Sequence, residues 1–238
     1  MPNTINGSTM YKIIQNTLKV MEANEKYLTK LDADIGDADH GINMVRGFKL
    51  ANERIQQLSN PDVGALLNTT GMALLETVGG AAGPLYGMMY MRMASVVKGK
   101  AEIDKKDILA MLEAGLKAVQ NIGGGAQPGE KTMVDTLHAA IQALKEVADR
   151  EDVSLEEALE KAVEAARRGM ESTIPMLAKW GRASYLGERS IGHQDPGATS
   201  TFLILHTMLA TLRGYVGLKV TKYSDEDGSI IEEEPIKA

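Results

Sequence analysis

The sequence contains no cysteine among its 238 residues, and aromatic residues make up only 4% of it. The absence of cysteine excludes disulfides, thiolate zinc sites and thiol nucleophiles. The formal net charge is −6, which disfavours binding to duplex nucleic acid. The longest apolar stretch, 202–212, is too short to cross a bilayer, and no signal peptide is visible. We therefore expect a cytoplasmic protein that binds neither nucleic acid nor membranes.

Glycine, in contrast, is abundant and unevenly distributed. Twenty-four residues are glycine, and fifteen of these lie in four short windows, 36–47, 79–87, 123–129 and 181–197. This local clustering excludes a collagen-like or low-complexity chain. It indicates four specialised turns or loops.

Most of the sequence between the glycine windows has the apolar periodicity of amphipathic helices. Residues 9–29, 131–149 and 197–216 carry this pattern, and capping signals predict helices over about 105–121 and 155–170. Strand signals are weak, so the sequence predicts an all-α fold of eight or nine helices. A further helix start is predicted at Asn60, as an N-cap residue followed by Pro61.

The last twenty residues differ from the rest of the chain. Residues 219–238 lack helical periodicity and contain six acidic residues against three lysines. We therefore expect a single all-helical domain over 1–218, followed by an acidic, mobile tail over 219–238.

The densest group of reactive side chains lies at the start of the first glycine window. Residues 31–41 read Leu-Asp-Ala-Asp-Ile-Gly-Asp-Ala-Asp-His-Gly. Two carboxylates ~4 Å apart repel by ~4 kcal/mol at an effective dielectric of 20, so a folded acidic loop favours a bound cation. Asp37 and Asp39 share one side of an extended loop, and Asp32 can close the site if the chain turns at Gly36. A merely solvated acidic loop is the alternative on spacing alone.

The ligand types in this loop indicate the class of metal. Carboxylate oxygens favour Mg²⁺, Mn²⁺ or Ca²⁺ over zinc, and the EF-hand pattern fails because Asn43 stands where its glutamate is required. Three aspartates do not complete an octahedron, and Mg²⁺ usually takes its other ligands from water and phosphates. A helix predicted to begin near His40 offers free N–H groups to a phosphate. The loop therefore favours a metal–nucleotide site.

The remaining glycine windows are candidate anion-binding segments. Residues 79–84 join two predicted helices, so they are either a phosphate-binding turn or a tight helix corner. Residues 124–132 approach a P-loop, which we reject because Glu130 occupies the lysine position and a helix precedes the turn. Residues 181–197 are predicted to form a long loop in which Arg182 and Arg189 bind phosphate or form surface ion pairs.

The scattered histidines and the single tryptophan are weaker candidates. His40 and His193 lie in candidate site segments, whereas His138 and His206 fall inside predicted helices and are expected to be structural. Trp180, beside a glycine, is interpreted as a packing residue.

Four segments, in order along the chain, resemble the nucleotide-binding L subunit of dihydroxyacetone kinases. They are residues 31–48, 79–87, 128–137 and 183–198, and the resemblance extends over about residues 8–216. It implies an eight-helix antiparallel barrel or bundle with the nucleotide site at one end. It also implies bound ADP or ATP with two Mg²⁺ ions.

The resemblance assigns roles to individual residues. The implied metal ligands are Asp32, Asp37 and Asp39, whereas Asp34 is not expected to be a ligand. The implied nucleotide contacts are His40, Gly41, Asn43, Ala81, Ala82, Gly125, Met133, Arg182, Asp195, Pro196 and Gly197. Two residues depart from the family pattern, because Ala38 and Ala82 stand where glycine and serine are common.

The family also implies a function, in one of two forms. The domain either follows a substrate domain in ATP-dependent kinases or stands alone in a three-part bacterial system, and the length of the chain favours the second form. That subunit would take a phosphoryl group from a phosphohistidine-bearing M subunit of the phosphoenolpyruvate phosphotransferase system. It would pass the group to dihydroxyacetone held covalently on a K subunit.

Two alternatives stay open at this point. One is a regulatory protein that binds Mg-ADP, and the other is an L subunit that serves another small ketose or triose with free ATP. A homodimer is compatible with each reading.

Overall fold

A computed structural model describes residues 3–238 and shows the predicted helical fold. Eight α-helices and a 3-10 helix dominate this part of the chain, and the all-α prediction is confirmed. The helices are α1 (Gly7–Ile35), α2 (His40–Ile55), α3 (Val63–Thr77), α4 (Ala82–Val96), α5 (Lys105–Ile122), α6 (Met133–Lys145), α7 (Leu155–Glu171) and α8 (Pro196–Leu212). The 3-10 helix Arg182–Ser190 lies between α7 and α8.

The helices form a closed antiparallel ring. Each helix packs against the next one along the chain, and α8 packs against both α7 and α1. Gly64 and Gly71 show the antiparallel packing of α3 and α4, because Gly64 lies against Ala94 and Gly71 against Gly87. In such a ring the odd-numbered helices end where the even-numbered helices begin. This geometry gathers four helix N-termini at one end of the barrel.

Helix α8 is the most deeply buried element. Every residue from Ala198 to Thr211 is buried, and this helix also contacts α6 across the ring. Its side chains join Met10, Ile14 and Met93 in one continuous apolar core. Among the helices described, none is both long and apolar enough to span a bilayer.

Capping side chains set several helix starts. The Asp104 carboxylate accepts a 2.9 Å hydrogen bond from Asp107 N, and Ser154 caps α7 in the same way, as predicted. The start predicted at Asn60 is wrong. Helix α3 begins at Val63, and the Asp62 carboxylate accepts from Ala65 N at 2.6 Å. Asp62 lies directly before the apolar run, so it is the better placed cap.

The C-terminal segment is a β-hairpin and not the expected mobile tail. Strands β3 (Gly217–Tyr223) and β4 (Ile230–Ile236) pair antiparallel, and the boundary predicted at residue 218 falls inside β3. The strand signal is short, because only Leu218 and Val220 follow Val216 as alternate buried residues. Two shorter strands, β1 (Ile5–Asn6) and β2 (Glu102–Ile103), also pair.

Candidate functional site

A cavity of about 270 Å³ occupies the end of the barrel where α2, α4, α6 and α8 begin. All four glycine windows contribute to its wall, through glycines 36, 79, 80, 123, 181 and 197. Free backbone N–H groups and the helix dipole make each helix N-terminus attractive to an anion. The tertiary structure therefore brings the four windows to one site whose helix ends favour a negatively charged ligand.

Three aspartates form an acidic cluster on one side of the cavity. Asp32, Asp37 and Asp39 each place a carboxylate oxygen within 4.8 Å of the others. Asp32 is buried in the last turn of α1, and its Oδ2 accepts hydrogen bonds from Asp39 N at 2.9 Å and His40 N at 3.1 Å. This carboxylate fixes the loop that carries the other two. Hard oxygen donors at this separation fit a divalent cation such as Mg²⁺.

The fourth carboxylate of the acidic stretch faces elsewhere. Asp34 is bound by Lys30, with its two oxygens 2.7 and 2.8 Å from Nζ, and it does not line the cavity. This contact follows from the i,i+4 spacing on α1. The charge of Asp34 is thus paired with that of Lys30, and Asp34 lies outside the acidic cluster.

The backbone of the acidic loop has two special positions. Gly36 has a φ of −142°, so it needs no left-handed conformation, but a side chain there would overlap the Asp32 carboxylate. Ala38 has a φ of 61°, in the left-handed region that costs roughly 1–2 kcal/mol for residues other than glycine. Glycine is therefore required at position 36 for space, and the strained residue of the loop is Ala38.

An ion pair closes one side of the cavity mouth. Arg182, the first residue of the 3-10 helix, places its guanidinium 2.9 Å from the Asp37 carboxylate. Arg189 lies in the last turn of the same helix, is exposed, and does not line the cavity. A cationic group beside the acidic cluster is thus supplied by the fourth glycine window.

His40 belongs to a buried network that joins three helices. Its Nε2 lies 2.8 Å from Ser200 Oγ, which lies 2.7 Å from the Tyr86 hydroxyl. The Tyr86 hydroxyl donates to the Gly197 carbonyl at 2.9 Å. Burial lowers the pKa of His40, although Asp32 and Asp39 act in the opposite direction, so the ring is neutral at neutral pH. The network holds the starts of α2 and α8 together.

Asp195 caps α8 at the wall of the cavity. Its Oδ2 accepts a 2.7 Å hydrogen bond from Ala198 N. Burial is the largest cause that raises the pKa of this carboxyl to about 7, and nearby Lys131 partly offsets it. Near neutral pH, a change in the groups around Asp195 therefore shifts the balance between its charged and uncharged forms.

Lys131, from the segment that approaches a P-loop, is a buried residue of the cavity lining. Its side chain is 1% exposed, and Nζ donates to the carbonyls of Thr173 (2.5 Å), Ile174 (3.3 Å) and His193. Burial lowers its pKa to about 8. The amine that a P-loop would direct at phosphates is held by the backbone here, which agrees with the rejection of that motif.

Twelve of the fourteen residues implied by the resemblance surround the cavity. They are Asp32, Asp37, Asp39, His40, Asn43, Ala81, Ala82, Met133, Arg182, Asp195, Pro196 and Gly197. Gly41 does not line it, because it packs against α1, where a side chain would overlap the Glu25 carbonyl. Gly125 lines a separate groove between α5 and α6, and Gly123 takes its place at the cavity.

Trp180 lines the cavity, which the sequence reasoning missed. Its ring lies against Gly124, where an added Cβ would be 2.7 Å from the ring, and its Nε1 donates to Glu130 Oε2 at 2.5 Å. Leu85 and Met133 are further apolar residues of the lining. The sequence offered one indication of this placement, because Trp180 lies two residues before Arg182, an implied nucleotide contact.

The four histidines lie in different parts of the fold, and they differ in whether they line the cavity. His138 and His206 lie in α6 and α8, as predicted, and only His40 lines the cavity. His193 does not line it, although its carbonyl accepts from Lys131.

Several known proteins are similar to this chain. The model of the DAK2 domain matches residues 34–210. The chain is 42% identical over 189 residues to the Escherichia coli K12 "PEP-dependent dihydroxyacetone kinase, ADP-binding subunit DhaL", covering 79% of this chain and 89% of that protein. A second ADP-binding subunit DhaL, from Listeria innocua, is 40% identical over 203 residues, covering 84% and 93% of the two chains.

A solved structure shares the fold. The native dihydroxyacetone kinase of C. freundii superimposes with a TM-score of 0.64 at 23% identity, over 84% of this chain and 33% of that one. At this identity the likeness concerns the fold alone. The matched domain and the extent of the sequence identity show that the chain belongs to the DAK2 domain family.

Proposed function

We propose that this protein is the ADP-binding subunit of a phosphoenolpyruvate-dependent dihydroxyacetone kinase. It would hold ADP with two Mg²⁺ ions, accept a phosphoryl group from a phosphohistidine-bearing M subunit, and pass it to dihydroxyacetone on a K subunit. One observation carries the proposal: three clustered carboxylates share a cavity with the N-termini of α2, α4, α6 and α8. The names of the relatives, which are ADP-binding subunits, support it.

The acidic cluster supplies the metal ligands in this proposal. Asp32, Asp37 and Asp39 would hold the divalent ions, which neutralise phosphate charge when bound. Asp32 is itself oriented by the N–H groups of Asp39 and His40, so the loop keeps its shape without help from the ligand. The protein thus contributes a preformed set of hard oxygen donors.

The polarity of the cavity wall gives the bound nucleotide a direction. Trp180, Leu85 and Met133 supply apolar surface to the cavity, which suits the adenine ring. The acidic loop and the turn at residues 79–82 suit the diphosphate, because backbone N–H groups at the start of α4 bind anions. The phosphate end would therefore lie towards Arg182 and the cavity mouth.

The residues around the cavity position the reaction and form no covalent bond with the phosphoryl group. The Nε2 of His40 is engaged by Ser200 Oγ at 2.8 Å. Arg182 at the mouth provides the cation that phosphoryl transfer uses for charge stabilisation. Positioning and charge are thus the contributions of this subunit, while the K and M subunits supply acceptor and donor.

The single tryptophan provides a direct binding test. Because Trp180 is the only tryptophan and lines the cavity, its emission should change saturably when ADP is added with Mg²⁺. Mn²⁺ titration followed by electron paramagnetic resonance should count two ions per chain when ADP is present. No saturable change with Mg-ADP would overturn the proposal.

Turnover separates the kinase subunit from a regulatory protein. With purified K and M subunits and phosphoenolpyruvate-charged donor, the chain should support dihydroxyacetone phosphorylation without added ATP. Binding of Mg-ADP with no turnover would favour a regulatory role instead.

A second candidate differs in the acceptor, another small ketose, and in the donor, which would be free ATP. The chain is 32% identical over 198 residues to "L-erythrulose 1-kinase" of Mycolicibacterium smegmatis, covering 34% of that protein. This likeness favours a test of several small ketoses with the K subunit. Turnover with L-erythrulose and free ATP, at rates above those with dihydroxyacetone, would replace the first candidate.

A further inference from the structure

We propose that the tip of the C-terminal hairpin, residues 224–229, is a positioning element for the nucleotide cavity. Through Tyr27 and Gln194, the tip joins the two walls that carry Asp32 and Asp195. The hairpin lies outside residues 34–210, which the DAK2 domain model matches. The inference rests on the proposed function, because its readout is the binding of Mg-ADP.

Tyr27 connects the tip to the helix that carries Asp32. It lies on α1, is 3% exposed, and its hydroxyl donates to the Gly228 carbonyl at 2.7 Å. The Tyr27 ring packs against Tyr223 at the end of β3, with the ring centroids 4.8 Å apart. Because Asp32 follows five residues later on the same helix, a shift of the tip is transmitted to the metal-ligand end of α1.

Gln194 connects the tip to the opposite wall. It is fully buried, and its backbone N–H donates to the Asp227 carbonyl at 2.7 Å. Its Nε2 lies 2.9 Å from both the Tyr27 hydroxyl and Thr199 Oγ1. Gln194 directly precedes Asp195, which caps α8 at the cavity wall. The Tyr27 hydroxyl is therefore shared between the hairpin tip and the start of α8.

The tip also makes a close apolar contact beside the acidic loop. Gly228 has a φ of 76°, and an added Cβ there would overlap Leu31, the residue before Asp32. The same Cβ would lie 3.8 Å from the Gln194 side chain. The backbone of the tip thus packs against Leu31 and Gln194, and neither of these residues lines the cavity.

The stem of the hairpin is held by separate contacts. The Asn24 side chain pairs with β3, with Nδ2 2.8 Å from the Leu218 carbonyl and Oδ1 2.8 Å from Val220 N. Arg167 on α7 binds Glu233 on β4 at 2.7 Å. Because these contacts do not involve the tip, the tip can be perturbed while the stem stays docked.

The coupling must act in both directions. If the tip sets the positions of the two walls, bound Mg-ADP must in turn stabilise the tip, because coupling between two sites is reciprocal. The backbone amides of Gln194 and Gly228 report on the stability of the tip, because they donate hydrogen bonds to the carbonyls of Asp227 and Ser224. Hydrogen exchange at these amides should therefore slow several-fold when wild-type protein binds Mg-ADP.

Tyr27→Phe tests the proposal with the full-length chain. The variant keeps the ring and removes the shared hydroxyl, so the affinity for Mg-ADP should fall by roughly 3- to 30-fold, as expected for positions that couple sites. Tyr223→Phe is the matched control, since no hydrogen bond of the described residues uses its hydroxyl. Its affinity should stay within about twofold of wild type. Affinities are read from Trp180 emission, and thermal melts check the fold.

The outcomes separate the inference from the proposed function. Equal affinity of wild type and Tyr27→Phe, or tip exchange that does not respond to Mg-ADP, would overturn the inference while the nucleotide site stands. Absence of Mg-ADP binding to wild type would overturn both. If Tyr27→Phe does not fold, the exchange measurement on wild type still decides.

Discussion

Arg182 Nη2 lies 2.9 Å from a carboxylate oxygen of Asp37, so the fourth glycine window meets the first at the cavity mouth. The Arg182 side chain is 64% exposed, and that of Asp37 is 34% exposed. Solvent-exposed ion pairs contribute only about 0–1 kcal/mol to stability. Both partners can therefore exchange this contact for another, the carboxylate for a metal ion and the guanidinium for a phosphate.

The first prediction concerns the acidic cluster. Asp37→Asn should weaken Mg²⁺-dependent ADP binding by at least about 100-fold, because an amide oxygen without charge is a poor substitute for a carboxylate ligand. Asp34→Asn is the control, since Asp34 is bound to Lys30 outside the cavity and should leave the affinity unchanged. The measurement is calorimetric titration of ADP with and without Mg²⁺. Equal losses in both variants would refute the assignment of ligands.

The second prediction separates two arginines of the 3-10 helix. Arg182→Gln should weaken ADP binding about five- to tenfold, since a charged hydrogen bond in an exposed setting contributes about 1 kcal/mol. Binding of Mn²⁺ without nucleotide should be unchanged or tighter, because the cation that competes for Asp37 is gone. Arg189→Gln should change neither affinity. Parallel weakening of metal and nucleotide binding by Arg182→Gln would mean that Arg182 only holds the loop in place.

The third prediction concerns backbone strain at Ala38. Ala38→Gly should raise the free energy of unfolding by about 0.5–1 kcal/mol, since relief of the left-handed conformation exceeds the added freedom of the unfolded chain. Ala33→Gly, five residues earlier in α1, should lower the same quantity by about 0.5–1 kcal/mol. Urea unfolding of the two variants without ligand gives both values. A destabilised Ala38→Gly variant would argue against strain at this position.

The fourth prediction is a pH dependence that arises at His206. Burial, and then the positive charges of Arg167 and Arg213, lower the pKa of His206 from 6.5 to about 4. Between these values the unfolded chain binds the proton more readily than the folded one, so stability is present above pH 6.5 and is lost as the pH falls towards 4. The loss amounts to about 1.4 kcal/mol at pH 5.5.

His206→Met removes this dependence. The His206 Nδ1 has no hydrogen-bond partner among the described residues, and its Nε2 lies 3.4 Å from the Tyr215 hydroxyl. Tyr215 is only partly buried, so water can pair with its hydroxyl in the variant. Denaturant unfolding at pH 7.5 and 5.5 should show wild type losing about 1.4 kcal/mol more than the variant over that interval. Identical losses in the two proteins would contradict the assignment.

Local signals predicted most of the helical framework. The capping residues Asp104 and Ser154 begin their helices where expected, because the interactions of a cap span only three residues along the chain. The start of α3 was predicted at Asn60, whereas the packed helix uses Asp62, two residues later, as its cap. The C-terminal hairpin was missed because its buried alternation is short, and because its docking on Asn24 is a long-range contact.

The candidate site shows the same division between local and long-range information. The composition of the acidic stretch indicated a cation site, because four carboxylates lie within eight residues and a bound cation offsets their mutual repulsion. Sequence reasoning did not reveal that Trp180 lines the cavity, or that Gly123 and not Gly125 reaches it, because these facts depend on how the ends of α5 and α7 pack.

The sequence by itself determined the helices, the acidic stretch and the four glycine windows, since each depends on residues close together along the chain. Only the tertiary structure decided that these windows meet. An antiparallel ring places every second helix N-terminus at the same end, so distant loops combine into one anion-attracting cavity. The ring also decided that Arg182 faces Asp37 and that the hairpin tip joins Tyr27 to Gln194, because such contacts span about 145 to 200 residues.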